Sequence, residues 1–156
     1  MSDQRATAAG PATHRGTLVD PRGPRFGAAI TTVVLAVVLV TAPSTLTTVL
    51  IAAQAVVFAM GSLGGLRTAP YGWLYRVLVR PRLGPPTELE EEAPPRFAQT
   101  VGLAFAVVAL IAALVGWTAV SIAAVAMALV AAFLNAAFGY CLGCEVYLLL
   151  RRLSSR

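Results

Sequence analysis

Residues 97–144 read FAQTVGLAFAVVALIAALVGWTAVSIAAVAMALVAAFLNAAFGYCLGC, a run without a single charged side chain. One helix needs about 20 apolar residues to cross the hydrocarbon core of a bilayer, so this stretch is long enough to cross it twice. Gly116-Trp117-Thr118 interrupts the stretch near its middle. We therefore predict a hairpin of two transmembrane helices, at about 97–116 and 119–140.

A second uncharged run covers residues 26–66, with Pro43-Ser44 near its middle. It predicts another hairpin, with helices at about 26–42 and 45–66. The chain is 58% hydrophobic and 12% charged, whereas soluble domains are roughly 45–50% apolar and about 25% charged. We therefore predict an all-α membrane protein whose four transmembrane helices form two tandem helical hairpins, in one domain of residues 21–153.

The basic residues indicate how the chain is oriented. All twelve are arginines, and they lie in the N-terminal segment, in the loop 67–96 and at the C-terminal end, whereas both hairpin tips are uncharged. The positive-inside rule then predicts a multi-pass membrane protein with a cytoplasmic loop and cytoplasmic termini. Arginine without lysine, together with abundant alanine, suggests a GC-rich bacterial genome, so we expect the membrane to be the bacterial inner membrane. The net charge of +5 is interpreted as anchoring to the lipid bilayer rather than as binding to nucleic acid.

Two segments outside the spans carry their own predictions. Residues 1–20 contain few large apolar side chains, which predicts a disordered N-terminal tail. Residues 1–25 lack the apolar core and cleavage site of a secretory signal, so we expect the first helix to act as its own insertion signal.

In the loop, Tyr71-Gly72-Trp73-Leu74-Tyr75-Arg76 has the composition of an interfacial segment at headgroup level. The acidic run 88–92 is interpreted as a solvated face, a docking surface for a cytosolic partner, or an internal match to the loop's arginines.

The two hairpins resemble each other in sequence. Pro24-Arg25-Phe26 opens the first, and Pro95-Arg96-Phe97 opens the second. Similar tails follow the hairpins, and Tyr147 in the second tail corresponds to Tyr75 in the first. A duplication would give a parallel repeat related by a pseudo-twofold axis along the membrane normal. The alternative is that Pro-Arg-Phe is simply a common way to begin a membrane helix.

The only two cysteines, Cys141 and Cys144, form a C-x-x-C pair at the end of the second uncharged run. On a helix they would share a face, and Gly139 and Gly143 would allow the adjustment that a disulfide needs. If the fourth transmembrane helix breaks near Gly139, Cys141 would lie at the N-terminus of a short additional helix. Helix N-termini stabilise thiolates. We therefore predict a redox pair in which Cys141 attacks and Cys144 resolves. Glu145 would move a proton or merely mark where the membrane ends.

Other uses of the pair can be weighed by spacing. C-type haem attachment needs a histidine directly after the second cysteine, where this chain has Glu145. Four-ligand zinc needs two further ligands, and the only histidine is His14 in the tail. No cofactor and no metal are therefore predicted for one chain, although a homodimer could share two pairs around a metal. Two cysteines that pack as small apolar groups remain a further alternative.

Two amides, Gln54 and Asn135, lie within the predicted spans. Hydrogen bonds of this kind join helices and contribute on the order of 0.6–2 kcal/mol. Asn135 lies shortly before Cys141 in the sequence, so an alternative role is to orient a quinone or a water molecule.

Several of these motifs together are similar to a bacterial membrane family catalogued as domain of unknown function 4395. The resemblance covers about residues 20–150 and rests on Val19-Asp20-Pro21-Arg22, on Leu74-Tyr75-Arg76 with Arg80-Pro81-Arg82-Leu83-Gly84-Pro85, on Ala93-Pro94-Pro95-Arg96-Phe97-Ala98-Gln99, and on Phe138-Gly139-Tyr140-Cys141-Leu142-Gly143-Cys144. Tyr140 stands where the family pattern has phenylalanine. The resemblance implies no established activity. Relatives lie near thioredoxin-like or sulfurtransferase proteins in some genomes, so the resemblance favours thiol chemistry, with a protein of either kind as the expected partner.

Two functional hypotheses follow. The first is a membrane thiol–disulfide or sulfur-relay component that uses Cys141 and Cys144 at the cytoplasmic membrane edge. The second is a non-catalytic membrane scaffold that docks a partner through the loop 67–96. In the second case the cysteines would serve only for packing.

Overall fold

The computed structural model describes residues 16–155, and its long elements are helices. The helices are α1 (Arg22–Thr41), α2 (Thr45–Leu63), α3 (Pro70–Leu74), α4 (Ala93–Leu114), α5 (Thr118–Phe138) and α6 (Leu142–Ser154), with a π-helical turn at Tyr75–Val79 and a 3₁₀ turn at Arg80–Arg82. The strands β1 (Leu18–Val19) and β2 (Glu90–Glu91) form a small sheet. Helices α1, α2, α4 and α5 are long and apolar enough to cross a membrane. The chain is a multi-pass, all-α membrane protein, as the sequence predicts.

The four spanning helices form a closed bundle. Helix α1 packs against α2 and α5, and α4 packs against the same two helices. The core between them contains Leu35, Val38, Ile51, Ala109 and Val125. Outer positions carry apolar side chains that face lipid, such as Val40, which is 86% exposed. In lipid, the association of such helices depends on close packing between them rather than on the removal of apolar surface from water.

Two ends of the bundle differ in composition. The hairpin end consists of residues 42–44 and 115–117. The loop end consists of residues 18–25, 64–96 and 139–154, and it includes α3 and α6. Helix α3 packs on α1, and α6 packs on α4. Every described arginine lies at the loop end.

Within each hairpin, the turn between the two helices lies where the sequence predicts it. The helix ends at the loop end of the bundle differ from the predicted ones. Ser44 begins α2, and its hydroxyl accepts a hydrogen bond from the Thr47 amide at 3.1 Å. Helices α1 and α4 start earlier than predicted, and each includes its Pro-Arg-Phe motif. Proline is tolerated in the first helical turn because the amide it lacks would have no intrahelical partner there. The motif is therefore the beginning of the helix rather than a segment before it.

Part of the predicted disordered tail is ordered. Residues 1–15 lie outside the described residues, so the prediction remains open for them. Leu18–Val19 instead forms β1, antiparallel to β2. The Glu92 amide also donates to the Thr17 carbonyl at 2.9 Å. These backbone hydrogen bonds provide the order that side-chain hydrophobicity alone would not predict.

The structure favours duplication over the alternative. The rings of Phe26 and Tyr75 lie 5.9 Å apart, tilted by 48°. The rings of Phe97 and Tyr147 lie 5.7 Å apart, also tilted by 48°. Each pair joins the first part of a hairpin to the tail that follows the same hairpin. The two sequence motifs therefore make the same contact twice.

The small sheet reveals where the pseudo-twofold axis lies. Val19 pairs with Glu90, and Leu18 pairs with Glu91, in antiparallel register. When the two repeats are aligned so that Pro24 matches Pro95, Val19 matches Glu90. Val19 is therefore paired with its own equivalent in the other repeat, as a twofold axis through this pair requires. The two hairpins are parallel to each other about this axis, in agreement with the predicted repeat.

Asp20 connects three elements at the loop end. Its carboxylate accepts hydrogen bonds from the Arg22 amide and Nε, both at 3.0 Å, and from the Tyr75 hydroxyl at 2.9 Å. Burial acts to raise the pKa of Asp20, but these hydrogen bonds outweigh it and hold the pKa below its usual value. Burial and the bond to Asp20 raise the pKa of Tyr75. The ionised carboxylate therefore holds β1, α1 and the π-helical turn together.

Replacement of Asp20 by asparagine should lower the free energy of unfolding in detergent micelles by about 1–3 kcal/mol at neutral pH, because hydrogen bonds to a charged group are lost. Since the folded-state pKa is depressed, this contribution is present above the unfolded pKa of about 3.9 and is lost as pH falls through the folded pKa. Thermal unfolding of both proteins across pH measures it. Glu88→Gln, at an exposed acidic residue, is the control. A gap between wild type and Asp20→Asn that persists in acid would contradict this assignment.

Candidate functional site

The site begins where α5 ends. Gly139 follows Phe138 with φ at +69°, in the left-handed region that glycine adopts readily. Its amide donates to the Asn135 carbonyl at 3.0 Å, which closes the last turn of α5. The chain then starts α6 at Leu142 with Cys141 as its N-cap residue. The helix break that the sequence allowed near Gly139 is therefore present.

Arg25 lies beside this break. A Cβ atom placed on Gly139 would lie 3.5 Å from the Arg25 guanidinium carbon. In the other repeat, Arg96 donates to the carbonyls of Ser62 and Leu63 at 2.7 and 2.9 Å, at the end of α2. A cation at a helix C-terminus is stabilised by the exposed carbonyls. Each Pro-Arg-Phe arginine thus lies at the end of a spanning helix from the other repeat.

The two cysteines meet at the first turn of α6. Cys141 and Cys144 are joined by a disulfide, with their Cα atoms 5.2 Å apart. The Cys144 amide also donates to the Cys141 sulfur at 3.3 Å. Both residues are partly buried. The helix N-terminus therefore lies against the Cys141 sulfur, where it would favour a negative charge.

Glu145 differs from the cysteines in its surroundings. It is exposed, and its carboxylate forms no hydrogen bond or ion pair within residues 16–155. Its amide donates to the Cys141 carbonyl at 3.1 Å. The side chain therefore stands beside the pair in sequence without contacting it, and a proton-transfer role remains a prediction.

Helix α6 is held close to α4 by a small residue. A Cβ atom on Gly143 would lie 2.6 Å from the Ala98 Cβ atom, closer than real contacts allow. The Phe97–Tyr147 ring contact and an ion pair between Arg151 and Glu91 at 3.5 Å lie along the same helix. These contacts position the disulfide against the bundle rather than on a free tail.

A cavity of about 350 Å³ opens beside the disulfide. Its walls come from α1, α4, α5 and α6, with Phe58 from α2, and Cys141 forms part of one wall. Most of the lining is apolar, and the polar side chains are Thr31, Gln99 and Asn135. The volume is in the range of small-molecule sites in proteins. Asn135 therefore lines the same cavity as Cys141, and its role in orienting a quinone or a water molecule stays a prediction.

Gln54 lies elsewhere. It is 1% exposed, donates to the Thr31 hydroxyl at 3.4 Å and accepts from the Tyr71 hydroxyl at 2.8 Å. This amide joins α1, α2 and α3, which agrees with its interpretation as a link between helices. Burial raises the pKa of Tyr71, so the phenol remains a hydrogen-bond donor at neutral pH.

Sequence reasoning missed the cavity and the amide of Gln99. The only available signal was the alignment of the two repeats. Thr31 corresponds to Gly102 when Phe26 is aligned with Phe97, and Tyr71 corresponds to Gly143 when Tyr75 is aligned with Tyr147. Both glycines line the cavity, so the larger side chains of the first repeat are absent from the second.

Metal ligation finds no support from side-chain clustering. Within residues 16–155, no group of three or more His, Cys, Asp or Glu residues could hold a metal ion. The Cys141 sulfur lies at the cavity and is bonded to the Cys144 sulfur.

A family model described as a domain of unknown function (DUF4395) matches residues 19–152. The chain belongs to this family. The match includes both hairpins, the loop between them and the first turns of α6 with both cysteines. Searches of curated proteins and of solved structures found no match.

Substitution of Gly143 by alanine should destabilise the protein by about 1–3 kcal/mol, because the added methyl group overpacks the α4–α6 contact. Gly84→Ala is the matched control, since nothing lies within 4 Å of the corresponding Cβ position. Thermal unfolding in detergent measures both variants. Equal midpoints for the two variants would show that α6 does not depend on this close contact.

Proposed function

We propose that this protein exchanges electrons with a soluble partner through the Cys141–Cys144 pair, as a membrane thiol–disulfide component. The observation that carries the proposal is the disulfide at the N-terminus of α6, with the Cys144 amide directed at the Cys141 sulfur. A helix N-terminus stabilises a thiolate, and the thiolate is the attacking species in disulfide exchange. Cys141 is therefore the sulfur that forms the mixed disulfide, and Cys144 resolves it.

The exchange proceeds in two balanced steps. A partner thiolate attacks the Cys141 sulfur, a partner–Cys141 bond forms, and Cys144 leaves as a thiolate and takes up a proton. The second partner thiol then loses its proton and attacks the partner sulfur of the mixed disulfide, which releases Cys141. The partner is oxidised by two electrons, and the pair is reduced. The reverse sequence, in which Cys141 attacks a partner disulfide, uses the same atoms.

The loop end of the bundle would face the cytoplasm of a bacterial cell. The described arginines lie there, while residues 42–44 and 115–117 at the hairpin end are uncharged. The positive-inside rule supports this orientation in the inner membrane. The partner would then be a cytosolic thioredoxin-like or sulfurtransferase protein that approaches α6 from the aqueous side.

Replacement of Cys144 by alanine, with Cys141 intact, should trap a covalent adduct with a cytosolic protein in cells, because the mixed disulfide can no longer be resolved from this side. Cells are quenched in acid, and the adduct is detected on a non-reducing gel as a band that reductant removes. The double variant, with alanine at both positions, is the control and should form none. An added sulfur atom on Cys141, seen by mass spectrometry, would identify the sulfur-relay form of the same exchange.

Failure of Cys144→Ala to form any adduct would overturn the exchange. The scaffold hypothesis makes the opposite prediction, since a protein with serine at both cysteine positions would keep full function. Deletions in residues 80–96 of the loop would then abolish it.

A further inference from the structure

The cavity beside the disulfide has a volume of about 350 Å³ and lies between α1, α4, α5 and α6. Thr31 of the first repeat lines it, together with its equivalent Gly102 and with Gly143, the equivalent of Tyr71. Side chains on these two glycines would meet the Phe58 ring and Ala98, so the glycines allow close packing at the edge of the cavity. In the first repeat, Tyr71 instead donates to Gln54, which is linked to Thr31. The two repeats therefore differ in packing at the edge of the cavity, and the space itself lies between the helices.

The lining indicates what kind of ligand fits. The cavity is apolar over most of its wall, but it contains the amides of Gln99 and Asn135. Neither side chain forms a hydrogen bond with any described residue. Both side chains are partly buried, and their amides are accessible from the cavity. An amide N–H is a donor suited to a carbonyl oxygen. The cavity thus offers two donors to an apolar molecule that carries carbonyl oxygens.

The position of the cavity indicates where the ligand comes from. Met127 lines it and is 55% exposed in the middle of α5, so the cavity is continuous with the lipid-facing side of the bundle. Cys141 lies in the wall nearer the loop end. A ligand dissolved in the bilayer could therefore reach the sulfur without passing through water.

We propose that the cavity binds the ring of a membrane quinone and that this quinone is the oxidant of the reduced Cys141–Cys144 pair. The proposal rests on the thiol–disulfide function proposed above and names its second substrate. A quinone is apolar, carries two carbonyl oxygens and accepts two electrons with two protons. Formation of one disulfide releases the same number of each, so one quinone matches one turnover.

Atoms and electrons balance in this oxidation. The Cys141 thiolate adds to a ring carbon of the quinone, and the ring takes up the electron pair. The Cys144 thiol then attacks the Cys141 sulfur, the S–S bond forms, and the bond between sulfur and ring breaks. The quinol leaves with the two electrons and two protons that the thiols have lost. Gln99 and Asn135 would donate to the oxygens as negative charge develops on them.

The test uses the full chain in lipid nanodiscs, reduced and freed of reductant. Decylubiquinone is the probe, because its fully substituted ring cannot form a stable thioether. Absorbance gives quinone reduction, and maleimide labelling gives disulfide formation. We expect one quinone reduced for each disulfide formed, and no reduction by the variant with alanine at both cysteine positions.

Two cavity variants separate binding in the cavity from reaction of an exposed thiol. Ala131→Phe fills the cavity and should slow quinone reduction by about tenfold or more, since a misplaced ring loses its alignment with the sulfur. Ala123→Phe places the same side chain at an exposed position of α5 outside the cavity and should leave the rate unchanged. Thermal unfolding confirms that both variants fold.

The outcomes distinguish the two proposals. Equal quinone reduction by Ala131→Phe and Ala123→Phe, or none by the wild type, would overturn the quinone site. A partner adduct trapped on Cys144→Ala would then still support thiol–disulfide exchange with another oxidant. Quinone reduction that only Ala131→Phe loses, without any partner adduct in cells, would support the site and overturn the partner exchange.

Discussion

The hydrocarbon core of a membrane contains no water to hydrogen-bond a free backbone group, so a chain can turn only where it leaves that core. This constraint determines the position of every turn in the bundle. At the hairpin end the turns occupy residues 42–44 and 115–117. At the loop end α5 closes its last turn through the Gly139 amide before the chain changes direction. The cysteines follow this turn directly, so the disulfide lies just beyond the end of α5.

The twofold repeat explains both the stability of the loop end and the location of the site. Paired aromatic contacts, Phe26–Tyr75 and Phe97–Tyr147, hold each tail against its own hairpin. The strand pair through Val19 and Glu90 joins the repeats at their axis. Where the two repeats have the same residues, each makes the same stabilising contact. Where they differ, at Tyr71 and Gly143, one half gains an internal hydrogen bond and the other gains a close contact between α4 and α6 beside the cavity.

Much of the fold could be predicted because charge segregation is a strong signal in membrane proteins. The two uncharged runs, residues 26–66 and 97–144, are each broken once and leave little choice besides four spans. The sequence predicts a fourth helix that runs to about residue 140, and Gly139 raised a break there only as a condition. The observed break after Phe138 places Cys141 at a helix N-terminus. The strand pair could not be predicted, because Leu18–Val19 is too short to show a pattern and pairs with residues far along the chain.

The cavity could not be predicted for a related reason. Its shape depends on which side chains of different helices face each other, such as Gly143 against Ala98. Sequence spacing along one helix does not report such distances. Alignment of the repeats alone would have identified Gly102 and Gly143, but it would not have identified the Phe58 ring and Ala98 that lie against them. Asn135 was identified because it is a polar residue in an apolar run, whereas Gln99 lies at the edge of one.

Within residues 16–155, the reactive group beside the cavity is the Cys141–Cys144 disulfide. In the proposed exchange, the exposed face of α6 meets the soluble partner and the cavity receives the quinone. A pair in this position would transfer electrons between a soluble protein and the bilayer. Such transfer requires that the pair change its redox state in the cell.

The most direct measurement is a count of free thiols on Cys141 and Cys144 in intact cells. Cells are quenched in acid, and maleimide additions per chain are counted on a gel with and without prior reduction. The proposed exchange predicts a mixed population of disulfide and dithiol that moves toward the disulfide under oxidant and toward the dithiol under reductant. A single form that stays unchanged under both treatments would contradict it, because a pair that never changes state cannot carry electrons.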